Sequence, residues 1–111
     1  MKERSPVRLD KLLGMLGLAM RAGKVVIGLE EIAKSATKGK LRLVLISEGA
    51  SEGTKKKIRT KCDFYNTPKI TVDVEPGELG RRLGKTSAPV CVGIVDEGFA
   101  RTLLNIDRCE E

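Results

Sequence analysis

The sequence of 111 residues contains no histidine and only three aromatic residues. Without histidine, Ser-His-Asp and Cys-His catalysis are excluded, and the commonest metal ligand is missing. An acid–base enzyme would have to rely on carboxylates or lysines, and no pair of these stands out among the many charged positions. The scarcity of aromatic side chains predicts an aliphatic core and leaves few rings for stacking on nucleic-acid bases. We therefore expect a protein that is not an enzyme.

Cysteine is also scarce, and the three thiols are far apart at Cys62, Cys91 and Cys109. Because no C-x-x-C pair is present, a zinc site is not expected, and we predict no metal or other cofactor. Free thiols are typical of a reducing compartment, which favours a cytoplasmic location. The chain has no signal-peptide pattern and no apolar run of about 18 residues, so we expect no membrane contact.

One glycine-rich stretch, GRRLGKT at 80–86, looks at first like a phosphate-binding loop. Its two glycines enclose three residues where that motif needs four, so the backbone cannot curl around a phosphate in the required way. The spacing of Leu79 and Leu83 instead predicts a short amphipathic helix over 77–84, with Gly84 at its C-terminal cap. On this interpretation the basic side chains stay free for an anionic partner: Arg81, Arg82 and Lys85.

Positive charge is abundant and unevenly distributed. The net charge is +6; residues 1–95 carry 19 basic and 10 acidic side chains, while residues 96–111 carry two and five. The segment TKKKIRTK at 54–61 has five basic and no acidic residues, and a helix there would turn Lys55, Lys56 and Arg59 away from Ile58 and Cys62. Such a face is either simply solvated or contacts phosphates. The overall balance likewise allows a lysine-rich solvated surface or a polyanionic partner, nucleic acid first.

Helical and strand patterns alternate along the chain, and the strands at 41–47 and 90–95 are apolar almost throughout. Continuous apolar strands are typical of a sheet that is covered on both faces. This alternation predicts an α/β/α sandwich around a small, mostly parallel sheet. Helices are expected from Pro6 to about Gly23 and at 30–38, from 51 or 54 to 64, at 77–84 and 98–108, with further strands at 24–27 and 69–72.

Two turns are candidate binding elements, VIGLEEIAKS at 26–35 and GKTSAPV at 84–90. A helix N-terminus presents unpaired N–H groups to anions or base acceptors. Glu31 and Lys34 are three residues apart and share one helix face, where a carboxylate beside an ammonium can read a guanine edge. The simpler interpretation of the same spacing is an ordinary surface ion pair.

The stretches at 16–47, 54–68 and 79–96 together resemble the ribosomal L7Ae family of kink-turn RNA-binding proteins, and most of all its short bacterial members of the YlxQ type. The resemblance implies a three-layer α/β/α sandwich with a four-stranded mixed sheet. It also implies a single RNA-binding domain over residues 1–111, monomeric when free and associated with kink-turn RNA or structured ribosomal RNA. A protein-interaction module on the same fold is the alternative.

The resemblance also implies a binding site. In the family, a Gly-x-Asn-Glu-x-x-Lys turn grips the sheared G·A pairs of the kink, and Gly28, Glu31 and Lys34 match it. Glu30 replaces the family's asparagine and Leu29 a residue that is usually polar, so a related bent or bulged RNA is also a candidate ligand. The loop before the last long strand cradles a flipped-out base in the family. The implied RNA-binding residues are Gly28, Glu30, Glu31, Lys34, Lys85, Thr86, Ser87, Ala88, Pro89 and Val90.

Overall fold

The computed structural model describes residues 6–84 and 89–108, over which helices and strands alternate as the sequence predicts. Most element boundaries agree with the predicted ones to within two residues. The elements are α1 Pro6–Arg21, β1 Val25–Ile27, α2 Leu29–Thr37, β2 Leu43–Ser47, α3 Glu52–Phe64, β3 Lys69–Val72, α4 Pro76–Arg82, β4 Cys91–Ile94 and α5 Glu97–Arg108.

The four strands form one mixed sheet in the order β1-β4-β2-β3. β2 and β3 are parallel, whereas β4 lies between β1 and β2 and is antiparallel to both. The mixed sheet implied by the resemblance is confirmed, and the mostly parallel sheet inferred from the alternation is wrong. α4 is only seven residues long, so it does not carry the chain back across the sheet, and β4 starts at the edge where β3 ends.

Three helices consequently start at the same edge of the sheet. β1, β2 and β3 end there at Ile27, Ser47 and Val72, while β4 begins there at Cys91. We call this edge, defined by these four residues, the carboxyl edge. The helices α2, α3 and α4 each follow one of the three strands, so their N-termini and the chain that enters β4 lie along the carboxyl edge.

Helices cover both faces of the sheet, which confirms the predicted three layers. One core cluster joins α1, α4 and α5 to the sheet and includes Leu43 and Leu45 of β2. The other joins α2 and α3 to the opposite face and includes Val44 and Ile46. Because successive side chains of a strand point to opposite faces, both alternating sets of β2 are buried, and this accounts for its continuous apolar sequence.

A buried serine fixes the turn that follows β2. The Ser47 hydroxyl donates to the carbonyl of Val74 at 2.6 Å and accepts from the N–H of Gly49 at 3.1 Å. Farther along this turn, Ser51 caps α3 by accepting from the N–H of Thr54 at 3.2 Å. These bonds tie the start of α3 to the segment after β3 and so hold two neighbouring parts of the carboxyl edge together.

Candidate functional site

The start of α2 and the described end of the second predicted turn, Pro89 and Val90, lie side by side at the carboxyl edge. The N–H of Gly28 donates to the carbonyl of Cys91 at 3.4 Å, and the carbonyl of Val90 accepts from the N–H of Ser47 at 2.8 Å. The first bond places the start of α2 against the chain entering β4, and the second anchors that chain to β2. The sheet thus brings together two segments that are about 60 residues apart in the sequence.

Glycine is needed at the junction between β1 and α2. Gly28 has φ 98° and ψ 155°, a combination that residues with a Cβ essentially never adopt. Its carbonyl accepts the N–H of Ile32 at 3.0 Å, but as the N-cap residue it supplies no side-chain hydrogen bond to the helix. Within residues 6–84 and 89–108, the first turn of α2 therefore presents backbone N–H groups that its N-cap residue leaves without a side-chain acceptor, with Glu30 and Glu31 beside them.

The predicted pair of Glu31 and Lys34 forms on the exposed face of α2. Lys34 Nζ lies 3.5 Å from Glu31 Oε2, and the two side chains are 61% and 53% exposed. An acceptor and a donor are therefore available side by side at the surface. This is the arrangement needed to contact the Watson–Crick and Hoogsteen edges of a base, because the carboxylate accepts and the ammonium donates.

The other two residues of the first turn face different surroundings. Leu29 is half-buried and packs against the α2–α3 side of the core, as do Val26 and Val90. An apolar side chain at position 29 is thus explained by packing. Glu30 is exposed and lines the groove between α2 and α3.

Part of the predicted loop lies outside the described residues, namely Lys85, Thr86, Ser87 and Ala88. Pro89 and Val90, at its end, are half-buried where the chain enters β4. Leu79 and Leu83 are buried as predicted, and Gly84 adopts a φ of 74° just after the helix. The structure therefore confirms the amphipathic helix in place of a phosphate-binding loop.

The two arginines of α4 are not free, contrary to the prediction from the sequence. Arg81 and Arg82 both form ion pairs with Glu78, the latter at 3.0 Å. Arg82 also lies 3.6 Å from Asp10 of α1. Glu78 is three and four residues before the arginines, the spacing at which helical side chains meet, so it offsets one of the two positive charges of α4.

The lysine-rich helix α3 differs from the prediction at one position. Ile58 and Cys62 are buried, and Lys56 and Arg59 are exposed, as expected. Lys55 is different, because its side chain is only 15% exposed and its ammonium lies 3.7 Å from Glu52 and 3.9 Å from Glu48.

A groove of about 820 Å³ runs between the start of α2 and α3. Two of its lysines, Lys57 and Lys61, were not singled out from the sequence, although Gly53, Lys57 and Lys61 follow one another at intervals of four residues and so share one helix face. The groove is lined by Leu29, Glu30, Gly53, Lys56, Lys57, Thr60 and Lys61.

The thiols do not form a reactive or metal-binding site within the described part of the chain. Cys62 and Cys91 are free and buried. Burial raises the pKa of Cys91 to about 11, helped by the nearby Cys62 thiol, and burial also raises the pKa of Cys62. Residues 6–84 and 89–108 contain no cluster of carboxylates and thiols that could hold a metal ion, and no helix among them is long and apolar enough to cross a membrane. Cys109 lies outside these ranges.

Comparison with known proteins identifies relatives over most of the chain. Residues 10–104 match the Ribosomal protein L7Ae/L30e/S12e/Gadd45 family. The RNA-binding protein YlxQ of Bacillus subtilis (strain 168) is 41% identical over 83% of this chain and 90% of its own length. The large ribosomal subunit protein eL30 of Sulfolobus acidocaldarius is 32% identical over 81% of this chain and 86% of its own length. These relatives support the prediction that the chain is not an enzyme.

Solved structures share the fold. A protein of unknown function from Bacillus halodurans C superposes with a TM-score of 0.80 and 38% identity, covering 86% of this chain and 95% of that one. The 15.5kD RNA binding protein of Giardia lamblia superposes with a TM-score of 0.76, covering 96% of this chain and 89% of that one. Identity to the Giardia protein is only 16%, so that likeness concerns the fold.

Proposed function

The chain belongs to the Ribosomal protein L7Ae/L30e/S12e/Gadd45 family, and on that premise we propose that it is a non-catalytic protein that binds RNA as a single domain. The observation that carries the proposal is the meeting of two segments at the carboxyl edge. The first turn of α2, whose N-cap residue Gly28 has no side chain, lies against the chain that enters β4 through the bond from Gly28 to Cys91. Exposed hydrogen-bonding groups there suit an irregular RNA, whose unpaired or sheared bases offer accessible edges.

The RNA proposed is a kink-turn or a related bent or bulged RNA. Glu31 would accept from the N–H groups of a guanine, while Lys34 would donate to its O6 or N7. Glu30 supplies a carboxylate where an amide would both donate and accept, and its charge repels phosphate. This substitution lowers the affinity expected for a standard kink-turn and favours a variant of that bend.

Ribosomal RNA is a reasonable source of such a structure. The matching relatives include the large ribosomal subunit proteins eL30 of Sulfolobus acidocaldarius and eL8 of Picrophilus torridus. The proposal therefore extends to structured ribosomal RNA in the cytoplasm, with a protein that is monomeric when free.

Substitutions in the first turn of α2 test the proposal. Wild type is titrated at one salt concentration against a kink-turn RNA, a straight duplex and a single strand. Glu31→Ala and Lys34→Ala should each weaken binding to the kinked RNA by about 1–3 kcal/mol, and the duplex by less, because base contacts specify while phosphate contacts position. Glu30→Asn should instead strengthen binding to the kinked RNA. Lys38→Ala, at the other end of the helix, is the matched control.

Salt and stability provide two checks on this experiment. Wild-type affinity for the kinked RNA should fall with salt with a log–log slope of about −2 to −5. The three exposed substitutions should change the free energy of unfolding by no more than about 0.5 kcal/mol. Unchanged binding of Glu31→Ala and Lys34→Ala to kinked RNA would contradict this mode of recognition.

An exposed aromatic pair favours a second candidate function, a protein-interaction surface. Phe64 is 78% exposed at the end of α3, and its ring meets that of Tyr65 edge to face at 4.9 Å between centroids. Exposed aromatic side chains are enriched at protein interfaces. If wild type binds none of the three RNAs, the interaction module becomes the better account of the fold.

A further inference from the structure

We propose that the groove between α2 and α3 holds the sugar–phosphate backbone of an RNA strand that continues beyond the bases contacted by the first turn of α2. This inference rests on the proposed function and adds a second contact surface to it. We call this surface the α3 groove. It consists of Leu29, Glu30, Gly53, Lys56, Lys57, Thr60 and Lys61.

The α3 groove begins at the candidate site. Leu29 and Glu30 belong to the first turn of α2, next to the Glu31–Lys34 pair. A strand that leaves the bases held by this pair can therefore enter the groove without crossing another element. The remaining lining residues come from α3, which starts at the same carboxyl edge.

The lysines of the groove follow a helical ladder. Lys57 and Lys61 are one turn apart, or about 6 Å along the axis of α3, and Lys56 lies beside them. Gly53, one turn before Lys57, adds no side chain and leaves the groove open at the carboxyl edge. Ammonium groups repeated along one helix face can meet successive phosphates of one strand.

These lysines also differ from the neighbouring Lys55, because they lack the ion pairs that Lys55 forms. Among the residues that the structure describes, no carboxylate lies within 4 Å of the ammonium groups of Lys56, Lys57 or Lys61, whereas Lys55 has Glu48 and Glu52. The groove lining carries three positive charges and one negative charge, that of Glu30. The positive charges of these three lysines are therefore available to an external anion.

The chemistry of the lining favours RNA over a protein partner. Lysine is depleted in the buried parts of protein interfaces, yet it supplies three of the seven lining residues here. Lysine stems are apolar while their ends stay in water. With Leu29 they give an apolar floor below a charged rim, and a positively charged groove of this kind can follow the backbone of a single strand.

The test compares RNAs that differ only outside the kink. One RNA has the shortest stems that keep the kink, and two others are lengthened by a single strand on one flank or the other. The groove variant is Lys56→Gln/Lys57→Gln/Lys61→Gln. A control with the same loss of charge is Lys24→Gln/Lys38→Gln/Lys40→Gln, whose exposed side chains precede β1 and β2 at the opposite edge of the sheet. Arg59→Gln, on α3 but outside the groove, is a second control.

The groove variant should bind one of the lengthened RNAs about 10- to 100-fold more weakly than wild type, and its log–log salt slope should be smaller by about 2. The short RNA should lose no more affinity than it does with the two controls. Equal losses for groove and control variants on every RNA would overturn the inference while leaving the proposed function intact. Absence of wild-type binding to any kinked RNA would overturn both. Loss of binding to a polyglutamate peptide, with unchanged RNA binding, would assign the groove to an acidic protein.

Discussion

Replacing Gly28 by alanine tests the link between the backbone at the start of α2 and the candidate site. A Cβ built at this position meets no atom of residues 6–84 and 89–108 within 4 Å, so the substitution causes no clash with that part of the chain. Its whole cost comes from the backbone conformation at φ 98° and ψ 155°. The measurement therefore isolates conformational strain from packing.

The expected magnitude follows from two opposing terms. Holding a residue with a Cβ in this region costs about 1–3 kcal/mol. Loss of glycine's extra freedom in the unfolded chain offsets about 0.4–1 kcal/mol of that. The difference spans about 0–2.6 kcal/mol, so at its midpoint Gly28→Ala lowers the free energy of unfolding by about 1.3 kcal/mol and the Tm by about 5–10 °C.

Urea and thermal unfolding measure this change, and Gly14→Ala is the control. Gly14 lies within α1 with open space around its Cβ position and no positive φ, so alanine should stabilise the protein by about 0.5–1 kcal/mol. Gly28→Ala should also weaken RNA binding, because relief of the strain re-aims the first turn of α2. A Gly28→Ala protein as stable as wild type would refute the reasoning.

Two further substitutions are expected to affect stability. Ser47→Ala should cost about 1–3 kcal/mol in urea unfolding, because it leaves the Val74 carbonyl and the Gly49 N–H without their partner; a change below about 0.5 kcal/mol would mean that water replaces the hydroxyl. Cys91 favours the folded state while its thiol is neutral, because burial raises its pKa from the ordinary value of 9.0 to about 11. This contribution is complete below pH 9 and is lost as the pH rises through 11, so Cys91→Ala should show a flatter decline in stability over that range than wild type does.

The fold was predictable where burial left a periodic signal in the sequence. The apolar run at 41–47 indicated a strand covered on both faces, and in β2 Leu45 and Ile46 point into the two separate clusters. The direction of β4 could not be inferred this way, since hydrophobic periodicity reports burial and not the sense of a strand. That direction depends on the short α4, which keeps the chain at the carboxyl edge.

The candidate site was predictable only where its contacts lie within one helix. Spacing along one helix was enough to pair Glu31 with Lys34. It could not pair Lys55 with Glu48, because Glu48 lies in the turn before α3 and approaches only through the folding of that turn. In the same way, the contact of Arg82 with Asp10 depends on how α4 packs beside α1.

The position of β4 determines when the protein can acquire its binding surface during synthesis. β1 pairs with β4 alone, and β4 is the last strand of the described sheet. While residues 91–94 are still unmade, β1 has no neighbour in the sheet and the N–H of Gly28 lacks the carbonyl that accepts from it. A nascent chain at this point can pair β2 only with β3 and lacks the join between the two segments of the candidate site. The two segments of the candidate site therefore come together only when β4 inserts between β1 and β2.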